Sequence, residues 1–260
     1  MPHSLSENST IAAELDTARV ARRAIAPPAE LAALSLRAAY DIQDAVVASR
    51  ESAGALRSGW KLGLTSRIKQ RIMGIDHPVF GRLFADGAIA SSSRVAFAAF
   101  IAPRAEPELA FGLAAPLDPD ADPALLLGAI AWIAPALEIT DSRYLPGRRS
   151  VVELVADNTS SAAYVIGGRV RLEAAPRLDA IGAQIIRNGS ILAAGTTADV
   201  LGDPFTALRL LAEHGARRGL QTAAGDVVLS GAITEAFSAA PGDRFEARLR
   251  GLGTAAVTFV

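Results

Sequence analysis

The strongest constraint on the fold is a change of pattern near residue 58. Before it, apolar residues recur at helical spacing in two stretches, Ile11 to Ile25 and Ala29 to Ala53, and Gly54 is a stop signal. After it, short apolar runs are interrupted by Gly, Pro and Asp, which is typical of strands joined by tight loops. We therefore predict a helical N-terminal part, residues 1–57, and a β-rich part, residues 58–260, that form one continuous unit.

The β-rich part contains few helical signals. One further helix is predicted from Pro204 to Gly215, and the dipeptide Asn188-Gly189 indicates a type I′ hairpin. There is no regular βαβ alternation and no glycine-rich phosphate loop, so the pattern favours an α+β fold with a mixed sheet and segregated helices. The predicted strands are Trp60–Leu64, Ala88–Ala90, Glu106–Leu113, Ile130–Ile139, Ser161–Ile166, Gly182–Arg187, Asp226–Ser230 and Arg244–Arg248.

Composition narrows the class of function. The 260 residues include no cysteine, which excludes disulfide scaffolds, thiolate nucleophiles and cysteine-ligated metals. A formal net charge of -1 gives no cationic field for nucleic acid or an acidic membrane surface. The longest uncharged stretch, Pro123 to Leu137, is too short to span a membrane, and Met1 to Asp16 does not resemble a secretory signal. We expect a cytoplasmic protein with a small-molecule partner, without nucleic acid or membrane.

Two acidic residues stand two apart in a predicted strand. Glu106 and Glu108 therefore project from one face, while Leu109 and Phe111 project from the other. Two carboxylates held together repel each other unless a cation lies between them. The alternative is a surface strand with two solvated acids.

A third acid, Glu138, ends an apolar run and is therefore expected to be buried. A buried carboxylate needs a positive partner, which is either Arg143 or a metal ion. Three glutamates without histidine or cysteine would form an all-oxygen site, which suits Mg²⁺ or Mn²⁺.

Other polar residues give weaker signals. Lys61 lies in an apolar strand and is either an edge residue that reaches solvent or a buried functional amine. The polar cluster from Ala156 to Ser161 is a cap, a turn or part of a site. The histidines match no metal-ligand spacing; they are His3, His77 and His214.

Five segments of the chain form a recognisable series: Lys61–Ser66, Glu106–Glu108, Leu137–Tyr144, Val155–Ser161 and Gly225–Gly231. In content and order they resemble the fumarylacetoacetate hydrolase superfamily, and in particular its hydratase/decarboxylase branch. The resemblance extends over residues 30–260. Enzymes of that branch hydrate 2-hydroxypentadienoate or decarboxylate 2-oxo-3-hexenedioate, consecutive steps in the meta-cleavage route of aromatic breakdown.

The resemblance implies a mixed β-sandwich or roll behind the helical part. It implies a divalent metal, usually Mg²⁺ with Mn²⁺ as the alternative, held by Glu106, Glu108 and Glu138. It also implies that Lys61 is the catalytic residue acting on a small 2-oxo acid. A homo-oligomer, associated with the partner hydratase of the pathway, is expected. The residues implied to lie near the substrate are Leu62, Val79, Ser161, Ser230 and Gly231.

One departure from the branch concerns residue 79. Its hydratases carry an aspartate after the lysine motif, whereas this chain has Val79, between Pro78 and Phe80. The segment Val155–Ser161 and the ending Arg250–Thr254 also resemble the decarboxylases. We therefore predict a Mg²⁺-dependent decarboxylation of 2-oxo-3-hexenedioate to 2-hydroxypenta-2,4-dienoate and CO₂, through a dienolate.

Three alternatives stay open. The first is hydration of 2-hydroxypentadienoate, and the second is hydrolysis of a carbon–carbon bond in an acylpyruvate. The third is a catalytically silent partner subunit, against which the intact glutamates and lysine argue.

Overall fold

The computed structural model describes residues 5–260, with side chains from residue 8 onward. The first residues of the chain, with His3, lie outside this range. The helices are α1 (Leu5–Ala21), α2 (Leu36–Ser52), α3 (Arg67–Met73), α4 (Pro123–Gly128), α5 (Val151–Ala156) and α6 (Pro204–Arg218). The strands are β1 (Arg57–Gly63), β2 (Val79–Phe84), β3 (Ala88–Ala90), β4 (Ser93–Val95), β5 (Arg104–Leu113), β6 (Ile130–Thr140), β7 (Ser161–Ile166), β8 (Gly182–Arg187), β9 (Ser190–Thr196), β10 (Val227–Leu229), β11 (Phe237–Ser238), β12 (Arg244–Leu249) and β13 (Gly253–Phe259).

Both N-terminal helices differ in their bounds from the prediction. α1 begins before Ile11 and ends at Ala21. α2 begins at Leu36, not Ala29, because the Ser35 hydroxyl accepts a hydrogen bond from the Ala38 N–H and caps the helix there. The pattern therefore predicted the existence of both helices but not where they start.

α2 connects the helical part to the sheets. Its buried Gln43 donates hydrogen bonds to the carbonyls of Phe80 (2.9 Å) and Val155 (2.9 Å). Apolar side chains from α1, α2 and both sheets form one contiguous core. The helical and β-rich parts thus share their interior, and the predicted boundary between residues 57 and 58 falls within β1.

The first sheet carries the predicted site residues on β1, β5 and β6. Its strands run in the order β2-β1-β10-β5-β6-β7-β3, and β11 pairs with the start of β5. The sheet curves into an open roll, so β2 contacts β7, and the Tyr164 hydroxyl donates to the Ser58 hydroxyl (2.9 Å). Ala110 and Ala136 lie on one face of this sheet, and both are fully buried. Alternation along β5 and β6 places the three glutamates on the same face.

A second sheet packs against the opposite face of the first. Its order is β4-β13-β12-β8-β9, and β12 and β13 contact β5 and β6. Phe245 and Phe259 meet edge to face, with ring centroids 6.2 Å apart, and both are fully buried together with Leu109. Two packed sheets with helices around them confirm the predicted α+β sandwich or roll.

The buried strand β2 was missed by the sequence patterns. It is buried at every residue yet contains Gly81 and Arg82, so it shows neither alternation nor a continuous apolar run. The Arg82 guanidinium lies 3.5 Å from the Trp60 ring centroid, which explains how a charge is accommodated there. The Asn188-Gly189 hairpin is confirmed, with φ of 52° and 84° at the two turn residues.

The long uncharged stretch divides between two elements. Its first part forms α4, where Leu125 is exposed, and its second part forms the buried centre of β6. No helix in residues 5–260 has the length and apolar character required to cross a membrane.

Candidate active site

The three predicted acids converge at one point of the first sheet. Glu106 on β5 and Glu138 on β6 are directly paired across the strands, and Glu108 stands on the next position of the same face. Each residue offers a carboxylate oxygen, and these oxygens all lie within 4.8 Å of one another. Glu108 and Glu138 are completely buried. The antiparallel register of β5 and β6 thus creates the cluster that spacing alone left open.

Lys61 on β1 completes this acidic cluster. Its Nζ lies 3.0 Å from Glu138 Oε2 and donates a hydrogen bond to the Thr159 carbonyl (3.2 Å). The side chain is buried, so the edge-residue interpretation is wrong. Arg143, the alternative partner for Glu138, instead pairs with Asp157.

The charges of the cluster are not balanced. Three carboxylates face one ammonium, and within the described part of the chain Glu108 Oε1 and Glu138 Oε1 are buried without a hydrogen-bond partner. Buried polar atoms without partners are rare and costly in folded proteins. A divalent cation would balance the two excess negative charges and give these oxygens a partner, so the donor set fits such an ion.

Burial and mutual repulsion alter the proton affinities of the cluster. Burial, opposed by Lys61 and reinforced by Glu106, raises the pKa of Glu138 to about 7. Burial and the charge of Glu138 raise the pKa of Glu108 well above its usual value. Burial alone would lower the pKa of Lys61, but attraction by the glutamates, Glu138 first, outweighs it and raises this pKa. Lys61 is therefore an ammonium at neutral pH.

A cavity of about 530 Å³ opens beside the cluster, a size suited to a small-molecule ligand. Lys61 and Glu106 lie in its wall, and the wall also carries hydroxyl groups and further cations. Of these polar lining residues, Thr65, Thr140, Ser142, Tyr144 and Ser160 lie in segments that carry the family resemblance. The sequence did not single out Lys69, Arg104, Arg149 and Ser238.

Of the five residues predicted to lie near the substrate, Leu62 lines the cavity and the other four do not. The Gly231 N–H supports the cluster from behind by donating to Glu108 Oε2 (2.8 Å). Ser230 is fully buried, and its hydroxyl accepts a hydrogen bond from the Leu109 N–H (3.3 Å). Ser161 lines a neighbouring cavity together with Arg143, and its carbonyl accepts a hydrogen bond from Arg143 (3.0 Å).

Val79 is fully buried behind Gly63 on the neighbouring strand. A Cβ on Gly63 would lie 3.2 Å from Val79 Cγ2 and 3.8 Å from Lys61 Nζ. Val79 Cγ2 and Lys61 Nζ therefore both lie near Gly63, and Val79 does not line the cavity. At this position the chain has an apolar side chain and not a carboxylate.

A strained segment positions the carbonyl that Lys61 contacts. Asn158, Thr159 and Ser160 all have positive φ, of 47°, 51° and 57°. Such a run is costly for residues other than glycine and persists only where contacts enforce it. Asn158 supplies such contacts by accepting from the Arg82 N–H (2.8 Å) and donating to the Arg82 carbonyl (2.9 Å). The polar cluster that sequence left ambiguous is therefore part of the site.

Gly81 is a residue whose type could have indicated this strained segment from the sequence. A Cβ at that position would lie 2.4 Å from Thr159 Oγ1, so a glycine within a buried strand marks the close approach of the strained segment.

Comparison with known proteins agrees with the fold. The model of the fumarylacetoacetate (FAA) hydrolase C-terminal region matches residues 47–260. A 4-oxalocrotonate decarboxylase of a Pseudomonas species is 34% identical over 246 residues, 95% of each chain. A 2-keto-4-pentenoate hydratase 1 of Dechloromonas aromatica is 36% identical over 259 residues, 98% of each chain.

Solved structures extend this comparison. The 4-oxalocrotonate decarboxylase from Pseudomonas putida G7, complexed with magnesium and adipate, superposes with a TM-score of 0.92 and 30% identity over 99% of both chains. A fumarylpyruvate hydrolase from Pseudomonas aeruginosa, with a TM-score of 0.62 and 16% identity over 79% of this chain and 90% of that one, shares the fold. The chain belongs to the fumarylacetoacetate hydrolase family.

Proposed function

We propose that this protein is a metal-dependent carbon–carbon lyase that converts 2-oxo-3-hexenedioate, also called 4-oxalocrotonate, to 2-hydroxypenta-2,4-dienoate and CO₂. Its relatives include decarboxylases and hydratases at similar identity, so the family narrows the activity to these two reactions. The choice between them rests on the residues around Lys61.

Glu106, Glu108 and Glu138 are the residues that would hold the cofactor, Mg²⁺ or Mn²⁺. Their oxygens converge, two of them lack hydrogen-bond partners, and their excess charge matches a divalent ion. The related decarboxylase structure was obtained with magnesium. When bound, the ion would act as a Lewis acid toward the carboxylate and 2-oxo oxygens of the substrate.

The chain's own residues would assist the bond cleavage. In the reaction the bond between C5 and the far carboxylate breaks, CO₂ leaves, and the electron pair moves through the enone to the 2-oxygen. The Lys61 ammonium donates a hydrogen bond to that oxygen as it becomes negative, and then a proton to complete the enol. The Thr159 carbonyl and Glu138 hold the amine in place for this role.

The observation that carries the choice of decarboxylation is the absence of an additional carboxylate beside Lys61. Within residues 5–260, the carboxylate in ion-pair contact with Lys61 is Glu138, which already belongs to the acidic cluster. Val79, which pairs with Gly63 near the amine, contributes an apolar side chain. Adding water across a diene requires a base or proton relay, whereas loss of CO₂ does not.

Hydration of 2-hydroxypentadienoate is the second candidate, because a hydratase is 36% identical over 98% of both chains. Hydrolysis of acylpyruvates is less well supported. Such hydrolases use a histidine to activate water, and neither described histidine, His77 or His214, lines the cavity. Both lie at a separate groove between α2 and α6.

The test is an assay of the purified, Mg²⁺-loaded protein with both substrates. We expect CO₂ release from 2-oxo-3-hexenedioate and little or no addition of water to 2-hydroxypentadienoate. Efficient hydration without CO₂ release would establish the hydratase instead.

We also propose the assembly that the family resemblance implies, a cytoplasmic homo-oligomer that associates with the partner hydratase. Light scattering of the protein alone, and again after mixing with such a hydratase, tests both associations. A monomer at micromolar concentration would contradict the first.

A further inference from the structure

The cavity contains two polar groups that neither the fold nor the acidic cluster uses. Among the residues that the structure describes, the Tyr144 hydroxyl and Arg149 Nε are buried and have no hydrogen-bond partner, although both residues line the cavity. The Arg149 guanidinium makes one long hydrogen bond, from Nη1 to the Arg148 carbonyl (3.5 Å). Tyr144 is only 3% exposed. The Arg149 guanidinium carbon lies 5.5 Å from the Tyr144 ring centroid, so the two groups are neighbours. Buried donors without partners are rare and call for an acceptor.

These groups have the chemistry of a carboxylate site. A guanidinium presents parallel N–H donors that match the two oxygens of a carboxylate. Burial raises the pKa of Tyr144 above its ordinary value, so its hydroxyl keeps the proton and donates. Two donors side by side, one of them positively charged, favour an anion over any neutral group.

The pair and the acidic cluster belong to different segments of the chain. Tyr144 and Arg149 follow β6, whereas Glu106, Glu108 and Glu138 lie within β5 and β6. The charges that act most strongly on the Tyr144 hydroxyl are those of Asp157, Arg143, Glu153 and Arg149, and the three glutamates are not among them. The cavity therefore has an acidic region that suits a cation and a region of donors that suits an anion.

We propose that Tyr144 and Arg149 bind the far carboxylate of a dicarboxylic 2-oxo acid, and so select dioates over monocarboxylates. This inference rests on the proposed function, in which the opposite end of the substrate meets the acidic cluster. These two residues would distinguish the substrate of decarboxylation, which has a second carboxylate, from the substrate of hydration, which has only one.

Two other cations line the cavity and are weaker candidates. Arg104 is held by a short hydrogen bond to the Ala236 carbonyl (2.7 Å), whereas the bond of Arg149 to the Arg148 carbonyl is long (3.5 Å). Lys69, on α3, has a single ammonium that cannot bind a carboxylate in the forked manner of a guanidinium.

The contact predicts a defined kinetic effect. The far carboxylate becomes neutral CO₂ during the reaction, so its ion pair with Arg149 is present with bound substrate and is lost afterwards. Removing a contact that is stronger with bound substrate than in the transition state raises KM and leaves kcat unchanged or higher.

The experiment measures the affinity of the Mg²⁺-loaded protein for two unreactive ligands by calorimetry. 2-Oxoadipate has the far carboxylate, and 2-oxohexanoate has a methyl group in its place. We expect the wild type to prefer 2-oxoadipate. Arg149→Met should weaken 2-oxoadipate binding by about 10-fold to 100-fold, as for a lost hydrogen bond to a charged group, and leave 2-oxohexanoate binding unchanged.

Three further variants complete the design. Tyr144→Phe should weaken 2-oxoadipate binding in the same selective way, and it removes no internal hydrogen bond, so it tests the proposal even if Arg149→Met fails to fold. Arg148→Met is the matched control, because it removes an exposed charge one residue away that does not line the cavity. Lys69→Met should have a smaller effect than Arg149→Met.

The remaining outcomes contradict either this inference alone or the proposed function as well. Equal weakening of both ligands by Arg149→Met, equal wild-type affinity for both, or loss of selectivity in Lys69→Met alone would overturn this inference and leave the proposed function intact. Failure of both ligands to bind in a Mg²⁺-dependent way would overturn the proposed function, and this inference with it.

Discussion

Two buried ionic clusters of this protein differ in how completely their charges are matched. In the first, one guanidinium meets one carboxylate: Arg143 pairs with Asp157 and donates to the carbonyls of Asp141 (2.7 Å) and Ser161 (3.0 Å). In the second, the single ammonium of Lys61 meets the carboxylates of Glu106, Glu108 and Glu138, and some of their oxygens have no partner.

The difference separates a structural cluster from a functional one. A buried ion pair with its hydrogen bonds satisfied is complete in itself and connects the segments around it. A buried cluster with excess charge is stable only if a ligand supplies the missing charge, or if protons do so. We therefore expect substitutions in the first cluster to affect folding, and substitutions in the second to affect metal binding and turnover.

The largest effect is expected for Lys61→Met, which keeps the length and apolar stem of the side chain but removes the charge. Loss of a positioned proton donor should lower kcat by about 10²-fold to 10⁴-fold, while the protein remains folded. Steady-state kinetics and circular dichroism measure the two properties. Lys69→Met, which removes the only other lysine of the chain, should retain most of kcat. Near-normal kcat in Lys61→Met would remove this residue from the mechanism.

Asp157→Ala should have the opposite profile. It leaves the buried Arg143 guanidinium without its anion, so the free energy of unfolding should fall by about 3–5 kcal/mol. Urea denaturation measures this loss. Asp179→Ala is the control, because its ion pair with Arg177 is exposed to solvent and should contribute little to stability. Equal stability of the two variants would show that the Arg143 cluster is not structural.

The stability of the metal-free protein should depend on pH through Glu138. Its pKa in the folded state is about 7, above the value of an unfolded glutamate, so the folded state binds protons more tightly. This contribution to the free energy of unfolding is fully present below about pH 4.5 and is lost as the pH rises through 7. The loss amounts to ~1.4 kcal/mol for each unit by which folding raises the pKa of Glu138.

Denaturation of the metal-free protein across this pH range measures the effect, and Glu138→Gln should flatten the profile. Mg²⁺ at pH 7.5 should restore the lost stability, because a bound cation replaces the protons. If the metal-free protein became steadily more stable from pH 4.5 to 7, the claim that the acidic cluster carries excess negative charge would be wrong.

The smallest effect is expected for Val79→Asp, which gives Lys61 an additional carboxylate. A trace of hydratase activity toward 2-hydroxypentadienoate should appear, with a stability loss of up to a few kcal/mol where the new charge is unpaired. Val79→Asn matches the shape without the charge and should show no hydration. Equal hydration by both variants would mean that the carboxylate is not the missing element.

Alternation along β5 was sufficient to predict that Glu106 and Glu108 share a face, since that depends only on the local pleat. The apolar run before Glu138 was sufficient to predict its burial. The pairing of Glu106 with Glu138 was not predictable, because a register between distant strands depends on the whole sheet.

The surroundings of Lys61 were less accessible to sequence reasoning. Its carbonyl partner, Thr159, lies in a left-handed segment that propensity does not predict for Asn, Thr and Ser in succession. Tyr144 and Arg149 lie in a loop that reaches the cavity only through the tertiary fold, so no periodic pattern indicated them.

The most direct test is a Mg²⁺ titration of the metal-free protein by calorimetry, alongside Glu108→Gln and Glu138→Gln. If the excess negative charge is a metal site, the wild type binds one ion per chain, and each substitution strongly weakens binding while the protein stays folded. Absence of stoichiometric binding in the wild type, or binding that survives both substitutions, would contradict the assignment of Glu106, Glu108 and Glu138 as the metal ligands.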